Sequence, residues 1–187
     1  MLNVLTNAFP VSLETKVLQI APLLTKPGLH PPSEPFQVSC EGAVLNIPHR
    51  NYYTSISPEE FAVCDSLERS IAACWFTRHH DGHTRETFLR FLPTYDSAWV
   101  ISYVMALCGE YVIELLDYIW AERNRFDKIA LRRWLRENEV FYARTRSRIV
   151  SYWDCYYRSS SPIFQNYVGG KLAAFFDECA VGHTETA

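Results

Sequence analysis

Glycine is scarce in this chain, seven residues of 187, and the scarcity removes several classes of chemistry. There is no Gly-rich loop to cradle a phosphate and no Gly-x-Ser-x-Gly elbow to present a nucleophilic serine. No His-Glu-x-x-His pair marks a zinc hydrolase. The six cysteines, Cys40, Cys64, Cys74, Cys108, Cys155 and Cys179, include no Cys-x-x-Cys pair, so neither a zinc knuckle nor a disulfide scaffold is expected. They read as free, buried thiols in a reducing compartment, and the expected location is cytoplasmic. The first ten residues have neither a basic lead nor a long apolar run, so no signal peptide is expected. The most apolar window, 98–121, is interrupted by Glu110, Glu114 and Asp117. Its charge-free part is shorter than the roughly 18 residues of a membrane span, so it reads as a core segment and no membrane partner is expected.

What remains suits one soluble globular domain: 48% apolar and 21% charged residues. Aromatics are plentiful at 14%, with 11 Tyr, 11 Phe and 5 Trp. The net charge of -3 argues against a dedicated polyanion binder, but the charge is uneven. Residues 121–150 carry 9 Lys/Arg against 4 Asp/Glu, whereas residues 1–120 carry 7 against 13. A basic stripe therefore sits on an acidic body.

Organisation changes near residue 58. Eight of the ten prolines lie at or before Pro58, a density that breaks long helices and predicts an irregular arm over 1–57. Within it, Ser12 heads a short helix limited by Pro22. Residues 36–40 and 43–47, joined by Glu41-Gly42, read as a two-strand hairpin. Helical signals then dominate 58–180, and the tail 181–187 is expected to be disordered. Ser57-Pro58-Glu59-Glu60 is a capping box, and Asp65, Asp81, Asp96-Ser97 and Asp127 head further helices. The inward stripes carry Trp75, Trp134 and Trp153, so each of these is expected in one core. Gly169-Gly170 precedes a terminal helix.

The blocks 67–92 and 98–119 each read as helix, turn, helix, at the scale of helical-hairpin repeats. In the first, Asp81-Gly82-His83-Thr84-Arg85 followed by Phe88-Leu89 resembles the inter-helix corner of HEAT-type repeats, where an aspartate and an arginine recur four residues apart. Residues 77–83, 107–114 and 151–157 together also resemble a group of uncharacterised bacterial helical proteins, over about residues 47 to 175. The resemblance implies a mainly α, HEAT-like helical-hairpin bundle. It carries over no activity.

Three clusters carry candidate chemistry. His79 and His83 are spaced i, i+4 and could share a metal, with Glu86 or Asp117 as a third ligand; the alternative is a structural corner with Asp81-Gly82 as the turn. The corner is preferred, because Gly82 breaks the helix between the two histidines. His80-Asp81 resembles the dipeptide of metal-dependent phosphohydrolases, but the only upstream histidines, His30 and His49, lie in the arm. Glu110, Glu114 and Asp117 read as one acidic ridge. Lys128, Arg132 and Arg136 form a basic ridge, and Arg144 and Arg148 a second beside Arg146. Near Trp134, Tyr142 and Tyr157 these arginines could follow a phosphate backbone, or they could be solvated or paired charge.

The reading that results is a non-enzymatic protein-binding module, an adaptor or an immunity-like protein. It would act through Glu110, Glu114 and Asp117, through Arg132, Arg136, Arg144 and Arg148, or through both, with no cofactor. The alternatives are a metal-dependent hydrolase centred on His79, His83 and Glu86, and a nucleic-acid binder using the basic stripe.

Overall fold

A computed structural model describes residues 2–92 and 94–181. The fold is mainly α-helical with one small β-hairpin. The chain forms two compact units, Met1–Pro93 and Thr94–Ala187. The division falls inside the helical span 58–180, and the segment 1–57 belongs to the same unit as the helices that follow it. Of the expected tail, everything past Val181 lies outside the described residues, as does Pro93.

In the first unit, α1 (Leu2–Thr6) and α2 (Glu14–Leu24) are followed by strands β1 (Pro35–Cys40) and β2 (Ala43–Pro48). The strands pair antiparallel, Cys40 opposite Ala43. Glu41 and Gly42 both have positive φ, 52° and 83°, as a type I′ turn demands. Helix α2 runs through Pro22 instead of stopping before it. The proline and Leu18, whose carbonyl it frees, are both exposed, so water can take the lost bond.

The prolines of the arm do not leave it loose. Residues 26–34 lie along 50–54 through backbone bonds, Leu29 N–H to Tyr52 O (3.1 Å) and Ser33 N–H to Arg50 O (2.9 Å). Gly28 is obligatory there: a Cβ would stand 1.7 Å from the Tyr52 carbonyl oxygen. The other edge of the same segment meets the end of α4. Asn51 donates its N–H to Arg78 O (2.7 Å), and His80 N–H donates to Asn51 O (2.9 Å).

Three helices complete this unit: α3 (Pro58–Val63), α4 (Ser66–Phe76) and α5 (Gly82–Phe91). Ser57 with Glu60, and Asp65 with Glu68, form reciprocal capping boxes. Helix α4 is buried over nearly its whole circumference from Ser70 to Phe76, and Trp75 donates its indole N–H to Leu24 O at 3.0 Å. At the α4–α5 corner, Asp81 Oδ1 accepts from Thr84 N–H and from its hydroxyl, both at 2.8 Å. Arg85, buried, donates Nη1 to the carbonyls of His79 and His80, both at 2.9 Å. The corner thus caps the start of α5 and fixes the connection that leads out of α4.

The second unit contains α6 (Ala98–Cys108), α7 (Ile113–Ala121), α8 (Lys128–Glu137), α9 (Glu139–Tyr152) and α10 (Val168–Val181). Gly109 ends α6, and Asp127 caps α8 by accepting from Ala130 N–H at 2.8 Å. The α6–α7 hairpin turns without an Asp…Arg pair, so it does not repeat the α4–α5 corner. Leu107, Leu115, Leu116, Ile119, Leu131 and Trp134 are fully buried, and the Trp134 indole donates to Ser102 Oγ at 2.8 Å. Gly169 and Gly170 lie inside the first turn of α10, not before it. A Cβ on Gly170 would stand 2.0 Å from the Phe164 carbonyl oxygen.

One core expectation needs correction. Trp75 is buried in the first unit and Trp134 in the second. Trp153 is only half-buried. It opens a π-helical turn, Trp153–Tyr157, that continues α9, with Arg158 N–H donating to Trp153 O at 2.8 Å. Among the thiols, Cys155 is exposed and the other five are buried.

The corner should be measurable by urea denaturation of the full chain. Asp81→Ala removes one N-cap and should lower stability by about 1 kcal/mol. Arg85→Ala should cost more, because it strands two carbonyls that accept charged hydrogen bonds worth about 1.5–3 kcal/mol each. Equal losses would contradict the shared-cap account.

Candidate functional site

The three histidines of the corner diverge. His79 is buried, and both its ring nitrogens have backbone partners: Nδ1 accepts from Asp81 N–H at 3.1 Å, and Nε2 lies 3.0 Å from Tyr53 O. An accepting Nδ1 assigns the proton to Nε2, which donates to the carbonyl. His80 is exposed and stacks on Tyr52 at 5.2 Å. His83 is exposed on the first turn of α5, and Glu86 pairs with Arg90 at 2.7 Å. The set His79, His83 and Glu86 therefore does not converge. Among the described residues, no group of three or more His, Cys, Asp or Glu side chains is arranged to hold a metal ion.

The acidic ridge is not continuous. Glu110 lies in the turn between α6 and α7 and is 6% exposed, whereas Glu114 and Asp117 are exposed on α7. The helix that carries Glu114 and Asp117 begins only at Ile113, so a periodic reading extended back to Glu110 runs into the turn. Burial raises the Asp117 carboxyl above its usual range, with Glu114 adding repulsion and Lys171 opposing it.

The basic residues also separate into two kinds. Arg132 donates Nε to Cys179 O at 3.1 Å, closing the last turn of α10. Arg146 pairs with Asp177 at 3.1 Å. Arg136, Arg144 and Arg148 are exposed and have no carboxylate partner among the described residues. Of the aromatics expected beside them, Trp134 is buried, Tyr142 donates to Asp177 at 2.6 Å, and Tyr157 donates its hydroxyl to Tyr111 O.

A different aromatic group stands next to the free arginines. The stem of Arg148 packs over Gly109, 3.5 Å from where a Cβ would be. One helical turn further along α9 is Tyr152, then Tyr156 in the π-helical turn. Tyr111, from the α6–α7 turn, lies 6.0 Å from both rings, and those two rings are 6.1 Å apart. Tyr111 and Tyr156 are 55% and 62% exposed. Tyr157, adjoining, stacks on Tyr167 at 5.2 Å. Its phenol is raised by burial first, then by the nearby charge of Glu114 and Asp117. One surface of the second unit thus brings together Arg144 and Arg148, Glu114 and Asp117, and a tyrosine cluster. The spacing of Arg144 and Arg148 was visible in sequence; the exposure of Tyr156, whose place on the helix suggests an inward ring, and the addition of Tyr111 were not.

The chain matches no protein-family model, no curated protein and no solved structure. Among the described residues, no helix is long and apolar enough to cross a membrane.

The neutral, doubly bonded state of His79 has a pH signature. Burial, then repulsion from His80, lowers its pKa in the folded chain; the bonds to Tyr53 and Asp81 and the Asp81 charge oppose this only in part. The folded value lies below the unfolded one of about 6.5, so the stabilisation is complete above that pH. It is lost as pH falls from there towards the folded value. Thermal melts should show the first unit weakening through this window, and His79→Gln should flatten the dependence. An identical slope in His79→Gln would assign the effect to other groups.

Proposed function

We propose that this chain is a non-enzymatic protein-binding module whose contact surface is the tyrosine cluster of the second unit, Tyr111, Tyr152 and Tyr156, bordered by Arg144 and Arg148 and by Glu114 and Asp117. The observation that carries this reading is the exposed, mutually packed tyrosine group between charges of both signs. Tyrosine and arginine are the residues that concentrate binding energy at protein interfaces, since a rigid ring covers much area at little entropic cost. Carboxylates and guanidinium groups on one surface suit a partner that also carries both signs. An adaptor and a toxin-neutralising role both fit such a surface.

The same arginines and rings are the materials of single-strand nucleic-acid binding, and this is the second reading. Against it stand Glu114 and Asp117 within the surface and the net charge of -3, which would repel a polyanion.

Two variants separate the readings: Arg144→Glu with Arg148→Glu, and Tyr111→Ser with Tyr156→Ser. With the unmodified chain as bait in its native cell, one protein partner should be captured stoichiometrically, and both variants should lose it with helical circular dichroism unchanged. Retention of the partner by both would sink the proposed surface. Micromolar or tighter binding to DNA or RNA, with log affinity falling against log salt by about 0.9 per duplex phosphate contact and abolished by the charge reversal, would replace it with the nucleic-acid reading.

A further inference from the structure

The first unit carries a separate feature that does not depend on the tyrosine surface. Between the 55–62 segment and α5 lies an open groove of about 730 Å³, its walls formed by Ile56, Pro58, Phe61, Phe88 and Phe91. Three of those rings pack on one another: Phe61 is 4.7 Å from Phe91 and 5.8 Å from Phe88, and Phe88 is 5.9 Å from Phe91. Phe88 is buried, but Phe91 is 48% exposed, so the aromatic wall opens to solvent. A volume of this size falls in the usual range of small-molecule sites, roughly 300–1,000 Å³.

Arg69 is the charged side chain of the lining. His83 also contributes to it, with hydroxyls from Ser55, Ser57, Thr84 and Thr87, and it includes no carboxylate. Of the acids on the same elements, Glu60 pairs with Lys26, Glu68 with Lys16 and Glu86 with Arg90, Asp81 accepts from Thr84, and Glu59 is held by its own backbone N–H and by Ser57. Arg69 is held in place. Its Nε donates to Phe61 O at 3.2 Å and its Nη2 to Ala62 O at 2.6 Å, with the guanidinium 6.0 Å from the Phe61 ring centre. Nη1 has no partner among the described residues. It leaves a fixed cationic donor edge at an aromatic wall.

We propose that this groove binds a small amphiphilic acid, with its apolar chain or ring along Phe61, Phe88 and Phe91 and its carboxylate on the free edge of Arg69. A neutral amphiphile would leave that edge unused, and a cationic one would meet Arg69 with the wrong sign. The charge complementarity of the lining selects the acid.

The test uses the full chain with three probes of equal apolar length, each below its micelle concentration: decanoate, decan-1-ol and decyltrimethylammonium. Calorimetry should give saturable, one-site binding of decanoate. Decan-1-ol should bind roughly tenfold more weakly, the size of one charge-assisted hydrogen bond, and the cation more weakly still. Thr87→Trp, at an exposed lining position, should fill the groove and abolish decanoate binding without changing the melting temperature. Arg69→Gln should reduce decanoate to the level of decan-1-ol while leaving decan-1-ol unchanged, and Arg69→Lys should restore part of the difference. Equal affinity for all three probes, absence of saturation, or decanoate binding that survives Thr87→Trp would overturn the proposal. So would a groove that ignores decanoate but binds an acidic amphipathic peptide, which would make it a peptide-docking site.

Discussion

Helix α4 ends in the interior of the first unit, and the carbonyls of its last turn and of the four residues that follow it need donors there. Four of them find donors through two residues. The amide Nδ2 of Asn51 reaches Trp75 O at 2.7 Å and its backbone N–H reaches Arg78 O, while Arg85 takes the carbonyls of His79 and His80. Each such group left unmet would cost about 1–3 kcal/mol, a large share of the margin by which a domain is stable. The chain between β2 and α3 is therefore fixed along α4, and the 26–34 segment is fixed along that chain in turn. Trp75, pinned to Leu24, ties in α2. The hairpin joins the same unit because it leads directly into Asn51.

Much of this was legible in the sequence, and the limits have physical causes. Helix starts are local events, and Ser57, Asp65, Asp81 and Asp127 announced them because a short polar side chain can reach its own N3 amide. The Glu41-Gly42 turn was equally local. Of the arm, the short helix and the hairpin were legible but the anchoring of the rest was not, because prolines report only a missing backbone donor and a fixed φ. They are silent on whether the arm's backbone finds partners far away, and here Gly28 and Ser33 meet Tyr52 and Arg50. Pro22 misled for a related reason: a lost helix bond matters little on a wet face. The acidic ridge failed because α7 begins only at Ile113, so Glu110 lies in the turn before it and does not share its helical phase. The HEAT-type resemblance rested on the Asp81…Arg85 corner, and the structure gives that pair a mechanical meaning without supplying a second copy of it.

The candidate site was partly visible for the same reasons. Arg144 and Arg148 were identifiable from spacing alone, whereas Arg132 and Arg146 looked equivalent to them until α10 was seen to accept both, at Cys179 O and Asp177. Sequence shows where a charge lies on its own helix, and only tertiary structure shows whether that charge is already answered. The histidines illustrate the converse. His79 has the residue type of a ligand, yet both its ring nitrogens are already committed to backbone groups.

The π-helical turn at Trp153–Tyr157 bears on how this surface could vary among sequences. Such a turn accommodates one extra residue while keeping the helix axis, and each residue of an α-helix is rotated by about 100° from the last. Loss of a single residue from this stretch would preserve α9 and its packing through Thr145 and Ile149, yet turn everything after it by one step. Tyr157 would leave the Tyr111 carbonyl and Tyr156 would leave the ring of Tyr111. The register of five residues thus works as a selector, setting which rings meet Tyr111 independently of the stability of the helix that carries them.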